Sequence, residues 1–218
     1  MNRRPALLAA VVLTTVAALS LSACGGGDKT SKDSDKIAGA DVGQGTTASP
    51  SSNPSHPAGR PKIVFATGAK NIFEDQKTGD AKRDAVLADN AQRIDSVDDA
   101  IFKGSVNTNA LSFYSANGAL DSARTFVKGY VDDNRTWTGT TRYFDRTVTL
   151  KDDGTATVVY CSDESKSFLR NRKTGKVEKT PTTSESYVLY NTKLVKDPQG
   201  VWQTTNVISK RGADQCQP

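Results

Sequence analysis

Thr147-Val148-Thr149-Leu150-Lys151-Asp152-Asp153-Gly154-Thr155-Ala156-Thr157-Val158-Val159-Tyr160-Cys161 decides the fold class. Threonine, valine and tyrosine alternate on both sides of an acidic turn closed by Gly154, the residue type that accepts a positive φ at least cost. Period two on each flank predicts a β-hairpin with strands over Thr141–Leu150 and Thr155–Cys161. Further on, a second hairpin turns at Arg172-Lys173-Thr174-Gly175. A third joins Ser184–Val195 to Val201–Ser209 through Lys196-Asp197-Pro198-Gln199-Gly200.

Toward the N-terminus the period changes. From Asp80 to Phe102, Val86, Leu87, Asn90, Ala91, Ile94, Val97 and Ile101 recur at three- and four-residue steps, one buried face of a helix that Lys103-Gly104 ends. Leu120, Ala123, Val127 and Tyr130 mark a second helix over Ala119–Val131, with Asn117 or Asp121 near its start. Leu111, Phe113 and Tyr114 fill space between the two. Ile63-Val64-Phe65 and Ile72-Phe73 read as edge strands or docking segments. Helices followed by a meander of antiparallel strands give an α+β domain over residues 62–218, with helices covering one face of a curved sheet.

Ahead of this domain the chain carries an address. Arg3 and Arg4 precede an apolar stretch from Ala6 to Leu21 that ends in Leu21-Ser22-Ala23-Cys24, the charged, apolar and small-residue order of an export signal closed by a lipobox. Residues 1–23 are expected to be removed, leaving Cys24 as a lipidated first residue carrying palmitate-type acyl chains; two or more chains hold a protein on a membrane where one does so only marginally. Residues 24–61 read as a disordered tether: Gly25-Gly26-Gly27 opens it, a Lys/Asp/Ser run follows, and Pro50, Pro54, Pro57 and Pro61 stiffen its end. Such a chain spans on the order of 30–40 Å. The expected location is the extracytoplasmic side of the cell membrane, lipid-anchored.

Composition narrows the chemistry. Losing Arg3 and Arg4 with the signal lowers the formal charge from +5 to +3, too mild for nucleic acid as a partner. Of the three cysteines, Cys161 and Cys216 remain after lipidation of Cys24, and an even pair in an oxidising compartment is most simply a disulfide. The sharper alternative, a free thiol nucleophile, finds no histidine partner, because the single histidine, His56, lies in the tether. The same absence removes Ser-His-Asp arrangements and the usual zinc sites, and no cofactor or metal is expected.

Asp84-Ala85-Val86-Leu87-Ala88-Asp89 within Asp80–Gly104, Thr147–Leu150 with Asp153–Val158, Cys161-Ser162-Asp163 with Ser165, Lys173-Thr174-Gly175-Lys176, and Gly200-Val201-Trp202-Gln203 together resemble exported actinobacterial lipoproteins of the NTF2-like superfamily. The resemblance covers the whole of residues 62–216. It implies a cone, with N-terminal helices packed into the concave side of a strongly curved antiparallel sheet, often around an apolar pocket. In enzymes of the wider superfamily, acidic side chains and tyrosines reach into that pocket; this lipoprotein branch brings no reaction with it, and fold analogy supplies none.

Asp145 is the best single catalytic candidate, mid-strand, with Tyr143 sharing its side of the sheet two residues away. Inside the cone it would act as a general base; on the solvent face it would pair with Arg142 or Arg146. Asp163-Glu164 reads as a strand-end turn, and the acids lack the spacing of a calcium loop. Tyr160, Tyr187, Tyr190 and Trp202 serve either as pocket walls for an apolar ligand or as core. Lys166, Arg170, Arg172, Lys173, Lys176 and Lys179 make a basic hairpin that would either meet an anionic polymer, lipid or protein face or simply keep a sheet edge solvated. Three functions follow: a lipid-anchored binding domain for a small apolar ligand or an envelope protein, a small cone-pocket enzyme using Asp145 with a tyrosine, or a structural docking module, with a homodimer formed through the sheet.

Overall fold

The computed structural model describes residues 59–218; the signal segment, Cys24, His56 and the tether up to residue 58 lie outside the described residues. Element order is β1 (Ala69–Phe73), α1 (Ala81–Lys103), α2 (Asn109–Tyr114), α3 (Asn117–Asp132), β2 (Arg135–Leu150), β3 (Thr155–Asn171), β4 (Val177–Glu178), β5 (Tyr187–Lys196) and β6 (Trp202–Arg211). The sheet runs β1-β2-β3-β5-β6, with β4 paired to the far end of β3. All its pairings are antiparallel except the edge strand β1, which runs parallel to β2. The class is α+β, with helices packed on a curved, largely antiparallel sheet, as expected.

Helix α1 starts where Asp80 accepts hydrogen bonds from the Lys82 and Arg83 N–H groups, and stops where Gly104 takes φ 67°. Both ends follow from residue chemistry: a carboxylate satisfies the orphan donors of the first turn, and glycine enters the left-handed region freely. Its N-terminal half packs Val86, Leu87 and Ile94 against Val148, Val158, Leu194 and Trp202 of the sheet. Its C-terminal half packs Val97 and Ile101 against Leu111, Val127 and Trp137. Leu111 and Tyr114 belong to α2, a short helix capped by the Thr108 hydroxyl, rather than to an irregular filler.

The long strands bend at bulges. Register breaks on β2/β3 between Thr140 and Arg142 and again between Phe144 and Thr147. The second break carries Asp145 with φ 51°. Thr141 lies on the helix-facing side, and the buried positions resume at Arg146 and Val148, so the phase of the strand jumps by one residue at Asp145. This inserted residue bends the sheet over α1.

Two sequence-based boundaries are corrected. Strand β2 begins at Arg135, and β3 continues past Cys161 to Asn171. Asp163-Glu164 therefore lies mid-strand, beside the first bulge, and not in a turn. On the face of β3 opposite Tyr160, Cys161 is disulfide-bonded to Cys216 with Cα atoms 5.5 Å apart, and the pair packs with Tyr187 and Ala213. The C-terminal tail is thereby tied across the sheet.

Candidate functional site

Between α1, α3 and the concave face of the sheet lies a cavity of about 390 Å³. Its size suits a small organic molecule. Helix α1 contributes Arg93, Ile94, Val97, Asp98 and Ile101; α3 contributes Ala123, Phe126 and Tyr130. From the sheet come Trp137 and Tyr143 on β2, Tyr160 and Glu164 on β3, Tyr190 on β5, and Val207 and Arg211 on β6. Phe126 is 54% exposed at the cavity's edge.

Aromatic rings shape the wall. Tyr160 and Tyr190 stack with centroids 5.0 Å apart and planes 13° apart, Tyr143 meets Tyr160 edge-on at 6.0 Å, and Phe73 stacks behind Tyr143 at 4.9 Å. Burial raises the phenol pKa of the wall tyrosines: Tyr143 goes well above the ordinary value, Tyr160 and Tyr190 rise too, and Tyr130 is pushed up to about 12. These hydroxyls stay protonated at neutral pH and are available as hydrogen-bond donors.

An acid stands in the same wall. Asp98 Oδ1 accepts the indole N–H of Trp137 at 2.9 Å, and Oδ2 accepts an amide N–H of Asn71 at 2.7 Å. Asn71 also donates to Asp95 at 2.9 Å, so one amide bridges two carboxyls. Desolvation, which outweighs the stabilising hydrogen bonds, pushes Asp98 up to about 7 and Asp95 up to about 6. Across the cavity Glu164 pairs with Arg211 at 2.8 Å.

Asp145 is exposed and does not border this cavity. Its pairing with Arg142 or Arg146 is not found among the described residues. Arg142 reaches Glu74 at 3.2 Å and Asp163 at 3.7 Å. Arg146 is buried, donating to the Leu87 carbonyl at 2.8 Å and to Gln76 at 2.8 Å. The cause is the bulge, which separates Asp145 from the face that Tyr143 occupies. Tyr143 does line the cavity, as do Tyr160 and Tyr190, while Tyr187 sits beside the disulfide and Trp202 under α1. Within the basic hairpin, Arg172 is structural: it donates to the Arg135 carbonyl at 2.8 Å and the Phe102 carbonyl at 3.2 Å. The cavity acid Asp98 and the cavity cation Arg93 were not among the sequence candidates, although both share the helix face of Ile94, Val97 and Ile101.

No protein-family model matches the chain, and no curated protein does. Among solved structures, the chain is similar to Aln2 from a Streptomyces species (16% identity, 62% of this chain and 94% of that one, TM-score 0.42). It is also similar to a ketosteroid isomerase-like protein from Erwinia carotovora atroseptica (14% identity, 61% and 97%, TM-score 0.40). A third is ActVI-ORFA from Streptomyces coelicolor (12% identity, 63% and 98%, TM-score 0.40). At this level of similarity they assign no residue a role here.

Proposed function

We propose that this chain is a lipid-anchored, extracytoplasmic NTF2-like domain that binds a small, mainly apolar molecule in the cavity between α1, α3 and the sheet. The single observation that carries the reading is the cavity itself: about 390 Å³, with aromatic and aliphatic walls interrupted by polar and charged side chains, among them Arg93, Asp98, Glu164 and Arg211. A core built only for stability fills such space with side chains. The anchor at Cys24 rests on the lipobox and the charged and apolar segments before it.

Native mass spectrometry of the exported protein tests the binding reading. A reproducible added mass of a few hundred daltons, lost on denaturation, is the expected result. A bare mass that persists after incubation with a panel of small aromatic and aliphatic compounds counts against it. Cys24→Ala tests the anchor, with release from the membrane fraction or accumulation of unprocessed precursor expected. Unchanged acylation would overturn it.

A second reading, an enzyme, is favoured by Asp98 and not by Asp145. A carboxyl with a pKa near neutrality, in the wall of a cavity that also offers tyrosine hydroxyls, suits proton abstraction at pH 7. Its test is turnover of the bound compound once that compound is known, abolished by Asp98→Asn while binding persists.

A further inference from the structure

Helix α1 buries five polar or charged side chains: Asp89, Asn90, Arg93, Ser96 and Asp99. Four of them have at least one partner in the protein, although the Asn90 amide nitrogen has none. Asp89 holds Arg60 and the Trp202 N–H; Asn90 accepts from Arg146; Ser96 donates to the Arg93 carbonyl; Asp99 holds Lys103 and the Val64 N–H. Arg93 is the exception. Its side chain borders the cavity, and the residue is 8% exposed. Among the described residues no carboxylate lies within ion-pairing distance of it, and its Nε is buried with no hydrogen-bond acceptor.

The acids near Arg93 are all committed elsewhere. Asp89, one turn earlier on α1, is taken by Arg60 and Trp202. Asp95 and Asp98 on the same helix share Asn71, and Asp98 also holds Trp137. Glu164, on the sheet side of the cavity, is taken by Arg211. A largely buried guanidinium with no anion beside it is costly, and proteins pair such groups or leave them facing a ligand that does. Its planar fork of donors matches the two oxygens of a carboxylate. Beside it, Tyr190 lines the cavity half-buried, stacked on the buried ring of Tyr160.

We infer that the ligand of this cavity is an anionic amphiphile, an aromatic or otherwise flat apolar body carrying a carboxylate or similar oxyanion, and that Arg93 receives the anion. The inference rests on the proposed binding function and narrows it from an apolar ligand to a charged one. The Tyr160–Tyr190 wall packs the body, and Arg93 fixes its orientation.

The test uses two probes of one shape, 2-naphthoate and its uncharged counterpart 2-naphthamide, titrated calorimetrically into the exported protein. Wild type is expected to bind naphthoate at least tenfold more tightly than naphthamide. Arg93→Gln is expected to erase that preference and leave naphthamide affinity within threefold. Equal affinities for the two probes in wild type overturn the inference while the cavity reading stands. Failure of both probes to bind removes the cavity reading itself. A naphthoate preference that survives in Arg93→Gln assigns the anion to another cation and overturns the role of Arg93. Should Arg93→Gln lack a cooperative unfolding transition, Arg93→Lys carries the test: it keeps the charge but not the fork. A several-fold loss for naphthoate alone supports the assignment, and no loss overturns it.

Discussion

The indole N–H of Trp137 donates to the carboxyl of Asp98 at 2.9 Å, across 39 residues of sequence, joining β2 to α1 at the cavity wall. Asn71 on β1 closes the arrangement by donating to Asp98 and Asp95 together. Three elements far apart in sequence thus meet on two carboxyls that burial makes reluctant to ionise.

That reluctance has a consequence for stability. The folded pKa of Asp98, about 7, and of Asp95, about 6, lie above the ordinary carboxylate value of 3.8. The folded state therefore holds these protons more tightly than the unfolded chain does. The stabilisation is complete below the unfolded value and is lost as pH rises through about 6 and then about 7. Thermal unfolding followed by circular dichroism should give a lower Tm at pH 8 than at pH 5. In Asp98→Asn, which cannot ionise, much of that decline should vanish. Identical pH slopes in the two proteins would show that Asp98 does not titrate in this window.

Asp89 tests how firmly the start of the domain is held. Its two oxygens serve Arg60 and the buried N–H of Trp202, the latter at 2.8 Å, and Asp89 itself is 2% exposed. Asp89→Ala strands a guanidinium and a backbone donor together, a loss of about 3 kcal/mol. Arg60→Ala leaves the Trp202 bond in place and should cost about half as much. Urea unfolding measures both, and an Asp89→Ala loss under about 0.5 kcal/mol, the range of ordinary surface substitutions, would contradict the buried pairing.

Asp145 is predicted to matter for backbone shape and not for chemistry. At φ 51° a β-branched side chain clashes where glycine does not. Asp145→Gly should be neutral or stabilising by up to about 1 kcal/mol, while Asp145→Val should cost about 1–2 kcal/mol. Any ligand binding should survive Asp145→Asn unchanged. Loss of binding in that variant, with Tm preserved, would return Asp145 to the functional site.

The sequence made some of this legible and hid the rest for physical reasons. Helix α1 was readable end to end, since its apolar stripe and the Lys103-Gly104 stop point to one element. The hairpin around Gly154 was equally plain. Helix α2 was missed because six residues cannot sustain a period, though Thr108 was a usable capping signal. The bulge at Asp145 defeats alternation, because one inserted residue exchanges the faces of everything after it. Arg93 and Asp98 escaped for a different reason. A helical stripe is read from its apolar members, so a charged residue on the same face passes for solvent-exposed until the sheet is seen to cover it.

The disulfide supplies the last prediction. Cys161, on β3, and Cys216, near the end of the chain, enclose a loop of 55 residues and are 3% and 1% exposed. Closing a loop of that length lowers the entropy of the unfolded chain, worth about 4 kcal/mol in the loop-entropy account. The double substitution Cys161→Ala with Cys216→Ala should lower the urea midpoint accordingly, with the slope of the transition increased by the more expanded unfolded state. Iodoacetamide should leave both cysteines unlabelled in the native protein until a reductant is added. Labelling without reductant would mean the thiols are free, and the C-terminal tail would then be held by its packing with Tyr187, Phe144 and Leu189 and by the Gly212 N–H to the Tyr187 carbonyl.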